Sequence, residues 1–243
     1  MASTSGIEAS AISVLKRAVE LDTKGRYTES LICYQEGLQL LMDALKGTTD
    51  EAKRLAFRQR ISEYMNRAEK LKNHVEKEKE TGKYHEQMHI ANNSTGHSYQ
   101  KVFGHFLDEM LTEVHVEDPY IRQGHQIYNF LRFCELLVVS SCPVKRIILT
   151  TGVEENNFAA QQTHLNEIKT SLSEHGIQFD IEFSKSLHDR EIRFNNGWII
   201  KIGRGLDYYK PTGKFSIGYC DMNLRKCHET TVDVFHSKFT KTR

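Results

Sequence analysis

Apolar residues in the first third of the chain recur at helical spacing. Ala11, Leu15 and Ala18 fall at i, i+4 and i+7, with Val14 and Leu21 beside them. Tyr27, Leu31, Tyr34, Leu38, Leu41 and Leu45 step by 4, 3, 4, 3 and 4, and Phe57, Ile61, Tyr64, Ala68, Leu71 and Val75 repeat the rhythm. Such spacing puts one apolar stripe on each of three helices. Lys24-Gly25 marks the end of the first helix and Lys46-Gly47, with Thr48, the end of the second. Asp50 can cap the third. Short connections make consecutive helices antiparallel, so residues 8–80 predict an all-α three-helix bundle. The charged run Glu76 to Glu80 reads as a solvated extension.

Residues 81–97 lose this rhythm and contain Asn92-Asn93-Ser94-Thr95-Gly96, which reads as a linker. From residue 98 to 243 strands and helices alternate. Glu113–Glu117 reads as a strand, Gly124–Val139 as a helix, Lys145–Thr150 as a strand and Gln161–His175 as a helix. Ile177, Phe179, Ile181 and Phe183 alternate with polar residues, the mark of a half-buried strand. Glu191–Phe194 and Trp198–Ile202 flank Asn196-Gly197, a strong hairpin signal. Phe215–Cys220 is read as a further strand. The alternation predicts an α/β sheet domain. Trp198 is expected to be packed or at an interface.

The chain has 243 residues, 39% hydrophobic and 27% charged, with a formal net charge of +1. That is enough apolar material for a buried core, and it argues against wholesale disorder. No apolar run approaches the ~18 residues of a membrane span, and Met1–Ala9 lacks the layout of a secretory signal. Five cysteines without periodic spacing point to reduced thiols and a cytoplasmic chain. In that compartment the sequon at Asn92 would go unused. The near-zero charge hides a division. Residues 96–183 hold 6 basic and 12 acidic side chains, and residues 184–243 hold 12 basic and 6 acidic. Either the fold mixes the two blocks or the second makes a basic surface for phosphate-bearing partners.

The helical third resembles a MIT domain, through AVELDTKGRYTESLICYQEGLQLLMDALKG and EYMNRAEKLK. A single tetratricopeptide repeat shares some of this text, but at least about three such repeats are needed for a fold. The resemblance implies binding of the C-terminal tail helices of ESCRT-III subunits between the second and third helices. Leu38, Leu41, Met65, Asn66 and Glu69 are then the expected tail-binding residues. Met65 sits ~100° off the stripe of Tyr64 and Ala68, so it either widens the core or lines an exposed groove. A flexible, polarizable Met suits a surface that accepts leucines. Asn66 stands where related domains often carry an acid, which would weaken an ionic contact to a basic ligand residue. Arg67, Glu69 and Lys70 read as rim or as solvated face.

His188-Asp189-Arg190, with Asn195 five residues on and a Gly203-Arg204-Gly205 turn after the next strand, is similar to the phospholipase D signature, His-x-Lys-x4-Asp before a strand and a Gly-Ser turn. There the His attacks phosphorus and the Lys neutralises phosphate oxygens. Strand alternation would put His188 and Arg190 on one face. Arg190 in place of Lys still binds phosphate but with a different shape, and Asn195 cannot carry the charge of an Asp. Only one such motif occurs where a site needs two, so catalysis would require a two-fold dimer. The expectation is a degenerate fold with no catalytic residues; the alternatives are a phosphodiesterase or phospholipase active as a dimer, and a coincidental match.

Both domains together, with EDPYIR, QIYNFLRFCELL, HDREIRFNNGW, KIGRGLDYY and CHETTVD, resemble the MIT domain-containing protein 1 family. That resemblance implies membrane association and homodimerisation through the phospholipase D-like domain, and a role at the midbody in abscission, with late endosomal membrane a further location. For lipid phosphate the candidates are Lys185, His188, Arg190, Arg193, Lys201, Arg204, Lys210 and Lys214. Tyr208 and Tyr209 could sit at headgroup level or in the core. No module for nucleic acid is recognisable. Cys220, Cys227 and His228 make poor zinc spacing, and His228-Glu229 does not extend to a zincin motif, so neither metal nor cofactor is expected. His228 could act as a second base, but nothing in the sequence ties it to His188. The competing functional class, besides an enzyme, is a soluble scaffold without lipid contact.

Overall fold

A computed structural model describes residues 4–236, except for the side chains of Thr4, Ser5 and Glu80. The end of the predicted second domain, 237–243, and Glu80 of the solvated extension lie outside that description. The chain divides into two compact units, with the break between Glu86 and Gln87.

The first unit holds α1 (Thr4–Thr23), α2 (Tyr27–Gly47) and α3 (Glu51–Glu80). Its core is built from Ala11, Leu15, Ala18, Tyr34, Leu41, Ala44, Phe57 and Leu71, with Tyr27, Leu31, Leu45, Ile61, Tyr64 and Ala68 packed against it. The expected stripes are therefore the packed faces. Small residues set the α1–α2 crossing. A Cβ on Gly37 would lie 2.6 Å from Leu15 Cγ, so glycine is kept mid-helix despite its ~1 kcal/mol helix penalty. Ser30 Oγ also donates to Ala18 O at 2.9 Å.

The helix ends follow the sequence signals. Gly25 takes φ +73 and Arg26 N donates to Leu21 O at 2.9 Å, closing α1 in a Schellman-type turn. Asp50 accepts from Ala52 N at 3.0 Å and caps α3. Arg26 supplies no side-chain cap to α2. Glu86, distant in sequence, does so instead: its carboxylate accepts from Thr28 N at 2.8 Å and from Tyr84 Oη. Burial raises the Glu86 pKa above the usual carboxylate range.

The second unit contains a seven-stranded mixed sheet, in the order β1-β7-β6-β5-β2-β3-β4. The strands are β1 (His85–Ile90), β2 (Glu113–Asp118), β3 (Arg146–Thr151), β4 (Gln178–Phe183), β5 (Glu191–Phe194), β6 (Trp198–Ile202) and β7 (Thr230–His236). β2, β3 and β4 are parallel, and β5, β6 and β7 continue antiparallel from β2. Helices α4 (Tyr99–Phe103), α5 (Gly124–Val139) and α6 (Phe158–Glu174) complete the unit. Phe130 of α5 stacks on Phe179 of β4 with ring centroids 5.4 Å apart, and Phe103 and Phe106 extend the same core. Trp198 is packed, 4.8 Å from the Phe106 ring. The other sheet face carries a charged ladder. Arg146 bridges Asp180 at 2.8 Å and Glu113 at 3.3 Å, and Glu113 meets His115 at 2.7 Å.

Two expectations change and one open alternative is decided. The 81–97 linker instead holds most of its residues in structure. β1 lies within it, and the Asn92–Gly96 turn is bonded to the far end of the chain (Asn93 N to Cys227 O, 2.8 Å; Gly96 N to Asn223 O, 2.7 Å). β1 hid because one of its three inward side chains is Glu86, so the apolar alternation is broken. Phe215–Cys220 is no strand. It alternates, but Gly218 at φ +87 turns the backbone out of extended geometry. Tyr208 and Tyr209 are core, 0% and 5% exposed, with both hydroxyls donating to His97 O at 2.9 Å. All five cysteines are free thiols.

Candidate functional site

Between α2 and α3 the facing side chains are larger than those between α1 and α2. Leu38, Met42, Leu45, Ile61, Met65 and Ala68 line an open furrow of about 730 Å3, with Arg58, Asn66 and Glu69 along it. Met65 is 53% exposed and belongs to this furrow rather than to the core. Leu38, Asn66 and Glu69 line it as expected. Leu41 does not: it is fully buried in the three-helix core, because the 4-3-4 stripe turns it toward α1. Arg67 leaves the rim as well. It grips Asp22 with two bonds, at 2.6 and 2.7 Å, and ties α3 to the end of α1. The furrow offers apolar walls and one charge of each sign, the chemistry of a surface that takes one apolar face of a helix about 10 Å wide.

The drifted phosphodiesterase motif is not gathered in one place. His188 lies in the segment before β5, not on the strand, so alternation does not align it with Arg190. It is exposed, with no hydrogen bond or ion pair among the described residues. Arg190 donates to Gly203 O at 2.5 Å and stacks 4.0 Å from the Tyr120 ring centre. Asn195 stands past the opposite end of β5, five residues or about 16 Å of strand away. Its carboxamide accepts from Thr112 N and Glu113 N at 3.0 and 3.1 Å and donates to Thr112 Oγ1 at 2.7 Å, fastening the β5–β6 turn to the start of β2. The hollow lined by Asp118, Arg190 and Gly205 has room for about 10 Å3, less than a phosphate needs.

The basic candidates separate into two groups. Arg193 and Lys201 lie on the charged sheet face and both pair with Glu191, whose side chain is 1% exposed; Lys201 Nζ is 3.2 Å away. Together they neutralise one buried carboxylate and leave a single net positive charge among the three. Lys185 and Lys214 are exposed and unpaired among the described residues. Arg204, following β6, donates to Asp207 O at 3.3 Å, and Lys210 to Asn93 Oδ1 at 2.8 Å. Burial, and then the charges of Arg204 and Lys210, hold the His228 imidazole below its ordinary pKa. His228 thus belongs with this basic corner. Asp207 anchors the corner, accepting from Asn129 Nδ2 at 2.9 Å and pairing with His125 at 3.3 Å.

Asp118 was not singled out in the sequence, although it lies within EDPYIR. Its side chain is buried under Gly205, and burial pushes its pKa up to about 6 against the offsetting backbone N–H of Tyr120 and the charge of Arg190. The folded chain keeps this proton up to about pH 6, whereas the unfolded chain releases it near 4. Stability from this group therefore falls as pH rises between those values, by about 3 kcal/mol in all. Asp118→Asn is expected to gain stability relative to the wild type from pH ~4 to pH ~6. Unfolding followed by Trp198 fluorescence at stepped pH measures it, and a flat difference would contradict the assignment.

The sequence matches known families over both units. Residues 8–73 match the MIT (microtubule interacting and transport) domain. Residues 96–236 match the family described as a phospholipase D-like domain at the C-terminus of MIT. The mouse protein MIT domain-containing protein 1 is 57% identical over 233 residues, 95% of this chain and 94% of the mouse protein. A MIT bundle joined to a mixed-sheet phospholipase D-like unit, matched along nearly its whole length, thus places the chain in the MIT domain-containing protein 1 family.

Proposed function

We propose that the chain is a non-enzymatic adaptor. Its α2–α3 furrow takes the amphipathic C-terminal helices of ESCRT-III subunits, and its phospholipase D-like unit docks on acidic membrane, with homodimerisation through that unit. The setting is cytokinetic abscission, at the midbody and on late endosomal membrane. One observation carries the reading: a half-exposed methionine in an open, leucine-walled furrow on a MIT bundle. The scattered motif supports a role without phosphodiester cleavage, since Arg190 and Asn195 are engaged by backbone and His188 has no orienting partner among the described residues.

Membrane docking rests on Arg204, Lys210, Lys214 and Lys185. Each Lys or Arg near an anionic leaflet contributes about 1 kcal/mol, so contact is weak and reversible for one copy and firmer for a dimer. The chain is expected to sediment with acidic but not neutral vesicles, less so as salt rises. Arg204→Ala with Lys210→Ala should weaken that partition at least about tenfold. Binding that ignores lipid charge and salt would remove the electrostatic part of the proposal and favour a scaffold without specific lipid contact.

A further inference from the structure

The segment misread as a strand has a different use. Residues 211–225 form an excursion closed at its base, where Lys210 N donates to Lys226 O at 2.8 Å beside the Tyr209–Cys227 bridge. The excursion is built, not slack. Arg225 is 8% exposed and binds the loop from within: Nε donates to Gly218 O, Nη2 to Tyr219 O at 2.9 Å and Nη1 to Lys210 O at 3.4 Å. A Cβ on Gly218 would lie 2.7 Å from Leu224 O, so the turn that this guanidinium clamps also requires glycine. Gly96 N to Asn223 O fixes the outer limb.

This scaffold holds two large apolar side chains out in water. Phe215 is fully exposed and Ile217 is 84% exposed. Folding gains nothing from ordering them there, so their partner lies outside the chain. The charge around the loop identifies it. Lys214 adjoins Phe215, and Lys210 and Lys226 stand at the base. The loop's one carboxylate, Asp221, is turned to the backbone and accepts from Asn223 N at 2.8 Å. Two protruding side chains two residues apart make a tip rather than a face. A tip with one lysine beside it and two at its base suits acyl chains beneath anionic headgroups better than it suits the groove of another protein.

We infer that Phe215 and Ile217 are a wedge that inserts shallowly into an acidic bilayer, with Lys210 and Lys214 at the phosphates. This rests on the membrane-docking reading and adds an apolar, salt-insensitive component to it.

The full-length chain is tested with phosphatidylserine–phosphatidylcholine vesicles. Phe215→Ser with Ile217→Ser should lower partition about 100-fold and leave a remainder that salt abolishes, whereas the wild type keeps a salt-resistant fraction. Neither side chain is packed, so circular dichroism should be unchanged. The indole introduced by Phe215→Trp should be quenched by lipids brominated on their acyl chains, while the buried Trp198 of the wild type is not. If the wild type binds no vesicles, the docking reading and the wedge fall together. If it binds and the double variant binds equally, or the introduced indole is not quenched, the wedge alone is overturned. Loss of self-association in the double variant, with vesicle affinity per copy unchanged, would also overturn it, and would assign the tip to a second copy of this chain.

Discussion

Met65→Asp should lower affinity for a leucine-bearing amphipathic peptide by about 100-fold or more, with the helical signal unchanged. The size follows from two losses. The furrow forfeits the apolar contact of a methionine, worth about 1.5–3 kcal/mol when fully covered, and a bound helix would bury an unpaired carboxylate. The bundle should tolerate the change because Met65 is 53% exposed and faces the furrow. Leu41→Ala is the counter-test. Leu41 is fully buried beside Tyr34 and Ala44, so truncation should cost about 2–5 kcal/mol of bundle stability. A titration with a fluorescent peptide, paired with circular dichroism, separates the two. Undiminished affinity in Met65→Asp would take the residue out of the site.

Gly205→Ala should destabilise the C-terminal unit by about 2–5 kcal/mol. Gly205 follows the Arg204 turn at φ +57, and a Cβ there would lie 1.9 Å from Asp118 Oδ2. The added methyl meets a buried carboxylate, not the end of a flexible chain, and the Arg190 side chain closes the same space. Gly176→Ala isolates the packing part. Its φ is +73 but nothing lies within 4 Å, so only the backbone strain of about 1 kcal/mol should appear. Trp198, packed under Phe106, reports unfolding of this unit in urea. Equal midpoints for the two variants would show that Asp118 yields, and that the Gly205 turn does not depend on close approach.

The helical half was legible because its information is local. Each stripe repeats over five or six residues, and the caps at Gly25 and Asp50 are short-range chemistry. The parallel core of the sheet was equally plain, since β2, β3 and β4 alternate with helices of ordinary length. What escaped depends on contacts distant in sequence. β1 has Glu86 at an inward position, and that carboxylate is met by Thr28, 58 positions away, as well as by nearby Tyr84. Phe215–Cys220 has the alternation of a strand, but no edge among the described residues pairs with it. At the site, Met65 was readable from its phase off the α3 stripe and Leu38 from the α2 stripe, whereas Leu41, on the same stripe as Leu38, is buried in the bundle core and does not line the furrow. The basic block was readable as composition only. Nothing local tells that Arg193 and Lys201 are consumed by Glu191, or that His125 and Asp207 meet at the Arg204 corner.

In the proposed function, one chain joins a partner helix to a lipid surface. The direct measurement is co-sedimentation of a fluorescent amphipathic peptide with acidic vesicles in the presence of the full-length chain. Peptide is expected to pellet only when the chain is present, with Met65→Asp abolishing pelleting and high salt reducing it to the salt-resistant fraction. Peptide left in solution while the chain itself pellets would contradict it.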